Sequence, residues 1–210
     1  MHPGKDCIEI DGVPLRESTK IYLVLNKPRG LVTTASDEKG RSTVYDCLPG
    51  DRRWVAPVGR LDKASEGLLL FSNDSEWSAR ILDPQTHLEK IYHIQIATLA
   101  SAALLQSIVR GSGREDGDIS LAKRARILRG GEKNTWLEIV LDEGRNRQIR
   151  RIFDGLGIEV LRLVRVAIGP IQLGELKKGE SRPLTLAEKN QLDRALQVPR
   201  RPKRPSKLSQ

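Results

Sequence analysis

Four apolar residues in succession, Leu68, Leu69, Leu70 and Phe71, follow Gly67 inside the stretch APVGRLDKASEGLLLFSND at residues 56–74. A run so short and so uniformly apolar cannot form a surface helix, which keeps a polar side, and it reads as a buried strand. Ile21, Leu23 and Leu25 suggest a strand running into a turn at Asn26-Lys27-Pro28, and a second strand ends near Val58. Asp74 or Ser75 caps a helix EWSARIL that Asp83-Pro84 closes. EKIYHIQIA alternates Ile91, His93 and Gln95 against Tyr92, Ile94 and Ile96, the pattern of a half-buried strand. SAALLQSIVRG has a helical period that stops at Gly111, GSGREDGD at residues 111–118 is loop, and ARIL and TWLEIVL flank RGGEKN as a hairpin. Ile149, Ile152, Phe153 and Leu156 make one buried helical stripe that Gly155 and Gly157 end, which leaves the basic residues among them unburied. VLRLVRVAIGPIQL alternates in its first half, with Val160, Arg162, Val164 and Val166 on one face. Thr185 and Glu188 form a capping-box pattern that opens a last helix reaching about Gln197. Strands paired across short turns interleave irregularly with helices, so the sequence predicts an α+β chain on a mixed sheet rather than a doubly wound parallel one.

A chain of 210 residues is long enough for one domain with two lobes, or two small domains, without a disulfide or metal staple. Cys7 and Cys47 stand alone, and His2, His87 and His93 show no ligand spacing, so no metal is expected. A reducing, cytoplasmic setting follows. No apolar run approaches the roughly 18 residues of a membrane helix. The N-terminal MHPGKDCIEIDG lacks an apolar signal core. The expectation is a soluble, unexported protein with no membrane partner.

The 36 basic and 27 acidic residues give a net charge of +9, which points to a polyanionic partner. Arg200, Arg201, Lys203, Arg204 and Lys207 lie in an acid-free end; taking those five from +9 leaves +4 for residues 1–199. The folded part is therefore only mildly basic. Three prolines between Pro199 and Pro205 deny that end regular structure, and it reads as a disordered basic arm.

Asp62 lies two residues from Arg60 in a glycine-flanked loop whose far end is anchored by the apolar run. A lone aspartate in such a loop is commonly a turn former. A carboxylate held on a rigid support beside a cation can instead stay ionised and serve as a nucleophile. Arg145, Arg147, Arg150 and Arg151 gather at the start of the helical stripe, where arginine forks and a helix N-terminus bind anions such as RNA phosphates or the Asp62 carboxylate.

VGRLDKASEGLLLFSND, NKPRGL at residues 26–31, EKIY at residues 89–92 and DEGRNRQIRRIFDGLG together resemble, in order and spacing, the RsuA/RluB-type ribosomal RNA pseudouridine synthases. The resemblance runs from about residue 21 to residue 186. It implies an α+β fold with a mixed, largely antiparallel sheet in two lobes and an RNA cleft between them. It also implies isomerisation of a uridine in RNA, most often ribosomal RNA, by a monomer needing no metal and no organic cofactor. One carboxylate suffices because the same sugar recaptures the leaving uracil and no water is consumed, whereas glycosidases generally use a pair.

By the same resemblance Asp62 is the catalytic aspartate, Tyr92 the aromatic that packs on the target base, and Arg145 the basic residue paired with the carboxylate. Ile149 is the apolar residue beneath the site, and Arg60 enters the space left by an extruded base. Lys27, Arg29, Lys63, Lys90, Arg147, Arg150 and Arg151 are expected RNA contacts. Extrusion costs least in a loop or bulge, so stem-loops are the expected targets. Residues 1–20 are read as an extension matching the trailing end of the small RNA-binding domain that many relatives carry, 21–198 as the catalytic domain and 199–210 as the basic tail. A catalytically silent RNA-binding or ribosome-assembly factor on the same fold is the rival. A metal-dependent nuclease would need clustered acids, and the acid nearest Asp62 is Glu66 in the same motif.

Overall fold

The computed structural model describes residues 19–35, 37–50, 54–110 and 121–197, together with the backbone of two short strands, β1 (Glu9–Ile10) and β2 (Val13–Pro14), which pair antiparallel. The loop expected at 111–118, Cys7 and the basic tail lie outside the described residues.

Nine strands form one sheet: β3 (Tyr22–Lys27), β4 (Ala56–Val58), β5 (Glu66–Ser72), β6 (Lys90–Ile96), β7 (Arg124–Gly130), β8 (Thr135–Leu141), β9 (Val160–Ile168), β10 (Ile171–Gln172) and β11 (Ser181–Pro183). Their order is β11-β3-β5-β9-β6-β8-β7, with β4 added to β5 and β10 to β9. Every strand pair is antiparallel except β5 with β9. The mixed α+β architecture expected from the sequence is thus the one found.

The apolar run sits at the centre because both of its faces are dry. Leu68 and Leu70 pack on one side with Trp77, Ile81 and Leu192, carried by helices α1 (Ser75–Leu82) and α4 (Leu186–Gln197). Leu69 and Phe71 pack on the other with Ile108, Ile149, Ile152 and Phe153, from α2 (Ala102–Arg110) and α3 (Gln148–Gly155). A strand covered on both faces gains nothing from alternation, which is why β5 reads as a continuous block; each such side chain contributes about 1.5–3 kcal/mol on burial. Half-covered β6 alternates without a break. Asp74 caps α1 by accepting from the Trp77 amide at 3.1 Å, and Thr185 with Glu188 closes the box that starts α4.

The sheet consists of two antiparallel halves that meet at the parallel contact of β5 with β9. That contact has two register pairs, Glu66 with Val164 and Gly67 with Arg165. Gly67 has φ +103°, and a Cβ there would stand 2.2 Å from the carbonyl oxygen of Arg165, so the strands approach this closely because the residue is glycine. Beyond the contact β5 and β9 diverge.

Two local expectations are corrected. Gly155 is the last residue of α3 rather than its stop, and Gly157, at φ +68°, takes the left-handed turn after it. Arg150 is not an unburied residue of that helix: its side chain is 16% exposed, because the first turn of α3 faces the sheet junction. Among the described residues no helix is long and apolar enough to cross a membrane.

Candidate active site

The segment between β4 and β5 carries Asp62 and is fastened by the turn after β3. Lys27 has no exposed surface; its Nζ donates to the carbonyls of Ser65 (2.9 Å), Pro28 (3.1 Å) and Asp62 (3.2 Å). Gly30 N donates to Lys63 O at 2.7 Å. Thr33 Oγ1 donates to Leu61 O at 2.8 Å and accepts from Leu61 N at 3.3 Å. NKPRGL and GRLDKASEG therefore interlock, and the backbone on both sides of Asp62 is set by hydrogen bonds that leave its carboxylate free to act.

Lys27 must accordingly be removed from the expected RNA contacts. All three ammonium protons face carbonyls inside the fold, and burial pulls its pKa down to about 8 against the opposing pull of the Asp62 charge.

The Asp62 side chain is 38% exposed and opens into a cavity of about 470 Å³ at the junction of the two sheet halves. Arg147 Nη1 stands 3.8 Å and Arg150 Nε 3.9 Å from its Oδ2. Arg145, to which the resemblance assigns this pairing, lines the same cavity and donates from Nε to Glu143 Oε2 at 3.0 Å. Glu143 is further held by Gln148 Nε2 at 2.8 Å. The reason lies in the backbone: Arg147 takes a left-handed conformation, φ +50°, immediately before α3, and the turn carries Arg147 and Arg150 toward Asp62. Glu66, the nearest acid in sequence, is engaged elsewhere. Burial would raise its pKa, but hydrogen bonds from Lys178 and Arg162 more than reverse this, and the carboxyl sits below its ordinary range.

The floor of the cavity comes from β6 and β9. Ile91 pairs with Ala167 and Tyr92 with Arg165, so Val166 is passed over as a bulge. The bulge keeps Leu163, Arg165 and Ile168 on one face, beside Lys90 and Tyr92, and all five line the cavity. Tyr92 and Ile149, which the resemblance named as site residues, both line it; Leu163 and Arg165 were not anticipated. Arg165 is 7% exposed, its Nε donates to Leu68 O at 2.7 Å where β5 and β9 part, and its Nη2 is buried without a partner.

Lys90, expected as a surface phosphate contact, is 9% exposed and belongs to this floor. Burial, reinforced by the charge of Arg165 and opposed by Asp142, pulls its pKa down to about 8 from 10.5. The folded state therefore releases this proton before the unfolded chain does. Stability from this group rises as pH climbs from about 8 to about 10.5, and below that window the full cost of the buried charge applies. Lys90→Met is expected to raise stability at pH 7 by about 3 kcal/mol and to flatten that part of the pH dependence, read by denaturant unfolding at several pH values.

Arg60 is exposed at the cavity rim, whereas Arg29, Lys63 and Arg151 are exposed but do not line it. No cluster of three or more His, Cys, Asp or Glu side chains able to hold a metal occurs among the described residues.

A cavity in which the Asp62 carboxylate faces several guanidinia, above a floor where Tyr92, Leu163 and Ile168 stand beside Lys90 and Arg165, is suited to a flat, polar ring. Residues 21–154 match the family model described as RNA pseudouridylate synthase. The chain is 35% identical to ribosomal large subunit pseudouridine synthase B of Bacillus subtilis (strain 168) over 190 residues, 90% of this chain and 78% of that protein. The chain belongs to the RNA pseudouridylate synthase family. Its identity to ribosomal large subunit pseudouridine synthase B of Escherichia coli (strain K12) is 38% over 200 residues, 91% of this chain and 68% of that protein. Among solved structures, a crystal structure of a pseudouridylate synthase superposes with a TM-score of 0.72 at 32% identity, covering 83% of this chain and 74% of that one. The archaeal box H/ACA sRNP Nop10-Cbf5 complex, at 15% identity and a TM-score of 0.53, shares the fold. This synthase is an enzyme of RNA that isomerises uridine to pseudouridine.

Proposed function

We propose that the synthase modifies a uridine of ribosomal RNA, with Asp62 as the catalytic carboxylate acting on a nucleotide turned out of a stem-loop. The observation that carries this reading is the Asp62 carboxylate, on a loop fixed by Lys27 and Thr33, opening into the same cavity as Tyr92. The ribosomal target rests on the names of the relatives from Bacillus subtilis and Escherichia coli. A uridine stacked in a helix cannot bring its anomeric carbon to a carboxylate recessed in a cavity, so the nucleotide must leave the stack.

Three uses of the carboxylate fit the site: attack on the anomeric carbon, stabilisation of a cationic sugar, or removal of a sugar proton to give a glycal. Each breaks the bond from C1′ to N1, lets the ring turn against Tyr92, and joins C5 to C1′. Arg147 and Arg150 steady the acid. Arg60, at the rim, enters the gap left in the RNA. The chain acts as a cytoplasmic monomer, a reading that sedimentation of the full chain with and without RNA checks.

Tritium release from ribosomal RNA labelled at uridine C5 tests the activity, with one tritium lost per pseudouridine formed. Binding without release would favour the silent assembly factor instead. The distances also rank the arginines. Arg150→Met is expected to slow single turnover by about tenfold or more, since its little-exposed guanidinium acts on the acid through space from 3.9 Å, and Arg145→Met by less. The reverse order would return the pairing role to Arg145.

A further inference from the structure

We propose that the Arg165 guanidinium, with the Lys90 ammonium beside it, is the site that receives the uracil ring's carbonyl edge while the ring is detached from the sugar. This rests on the function proposed above and adds two catalytic residues to it.

Arg165 is built into the floor rather than left there by chance. Gly67 clasps its backbone, Leu68 O holds its Nε at 2.7 Å, and the bulge at Val166 sets it opposite Tyr92. After these contacts one N–H group, Nη2, remains buried and unpaired. A buried donor without an acceptor costs stability, and its persistence at a cavity wall calls for an outside acceptor. The Lys90 ammonium likewise makes no hydrogen bond among the described residues. The acids of the cavity do not supply the need, since Asp62 stands by Arg147 and Arg150 and Glu143 by Arg145 and Gln148.

The depth of Arg165 decides what the acceptor is. A phosphate carries chain on both sides and meets cations at the rim, such as Arg60 and Arg147. A group 7% exposed on the floor is reached by the far edge of a base whose face lies on Tyr92, its cross-strand neighbour.

The electron count says why cations belong there. When the C1′–N1 bond breaks, its electron pair stays with the ring and is shared with O2 and O4. After the ring turns, C5 gives a pair to C1′, forming the new bond and neutralising the ring; the C5 proton is then lost and N1 takes one up. The ring is anionic only in the detached interval. Cations fixed beside it therefore favour that interval over the bound uridine and keep the free ring from escaping. All three uses of Asp62 pass through such a ring, so the inference does not depend on which one operates.

The test uses the full chain and a ribosomal stem-loop carrying uridine or 5-fluorouridine at the target. Fluorine makes the detached ring a more stable anion that needs less help. Consumption in single turnover is read by nuclease digestion and mass spectrometry. Arg165→Met is expected to slow uridine at least about 100-fold, with RNA affinity kept, and to slow 5-fluorouridine about tenfold less. Because Arg165 also bridges the sheet halves, Lys90→Met is the second variant. It is expected to be more stable than the wild type yet to show the same bias by several-fold. Equal losses on both substrates in both variants would overturn the inference while leaving the proposed function intact. A wild-type chain that consumes neither substrate nor any labelled ribosomal RNA would overturn the function and the inference together.

Discussion

Asp62→Asn loses at least about 10⁴-fold in turnover while binding RNA as tightly as the wild type or slightly more tightly. The amide has the shape of the carboxylate but neither attacks a sugar carbon nor takes a proton from one. The loop around it does not change, because Lys27 Nζ and Ser65 N both reach the backbone carbonyl of Asp62 rather than its side chain. Binding survives because the substitution removes a negative charge from a cavity rich in arginine. The fold is little affected: the carboxylate is 38% exposed and its arginines stand at 3.8 and 3.9 Å, so those pairs contribute no more than about 1 kcal/mol. Tritium release and filter binding on one RNA measure the two properties side by side. Full activity in this variant sinks the assignment of Asp62.

Gly67→Ala is expected to destabilise the protein by more than about 4 kcal/mol, or to prevent folding outright. Two independent costs coincide there. A side chain at φ +103° is strained, and its Cβ would lie 2.2 Å from the Arg165 carbonyl oxygen and 2.8 Å from the Arg165 nitrogen, backbone atoms that cannot swing aside. Relief requires β5 and β9 to separate, which pulls apart the two register pairs joining the sheet halves and shifts the Arg165 side chain. Gly144, where nothing lies within 4 Å of an added Cβ and φ is not left-handed, is the control: Gly144→Ala is expected to change unfolding by less than about 1 kcal/mol. A loss at Gly67 as small as the one at Gly144 would show that the junction is looser than its geometry implies.

Much of this architecture was legible in the chain because the physics that sets it is local. The alternation of β6 has the period of a strand with one dry face, the block of β5 signals cover on both sides, and Asp74, Thr185 and Glu188 are caps whose partners lie three residues away. The parts that escaped depend on contacts across the fold. Lys27 and Lys90 read as surface charges because lysine is almost never buried unless paired, and two of the three carbonyls that receive Lys27 belong to a loop thirty-odd residues on. The identity of the arginines beside Asp62 turned on a left-handed residue, Arg147, that carries no glycine to announce it. Arg165 did leave a trace: in LRLVRVAI it shares a side with Leu163, a cation where an aliphatic residue is expected, but pairing had to be known before that oddity acquired a meaning.

The order in which the pieces emerge during synthesis follows from the sheet. The acid at 62, the turn that fastens it and the arginines up to 150 all precede residues 163 and 165 of the floor, and the edge strand β11 at 181–183 closes beside residues 23–25. Such distant pairings make for slow closure. A nascent or prematurely ended chain stopping near residue 154 would thus carry its acid, its arginines and Tyr92 without Leu163, Arg165 and Ile168, the part of the floor that β9 supplies, and would be inert as an enzyme until the ninth strand had been made and inserted.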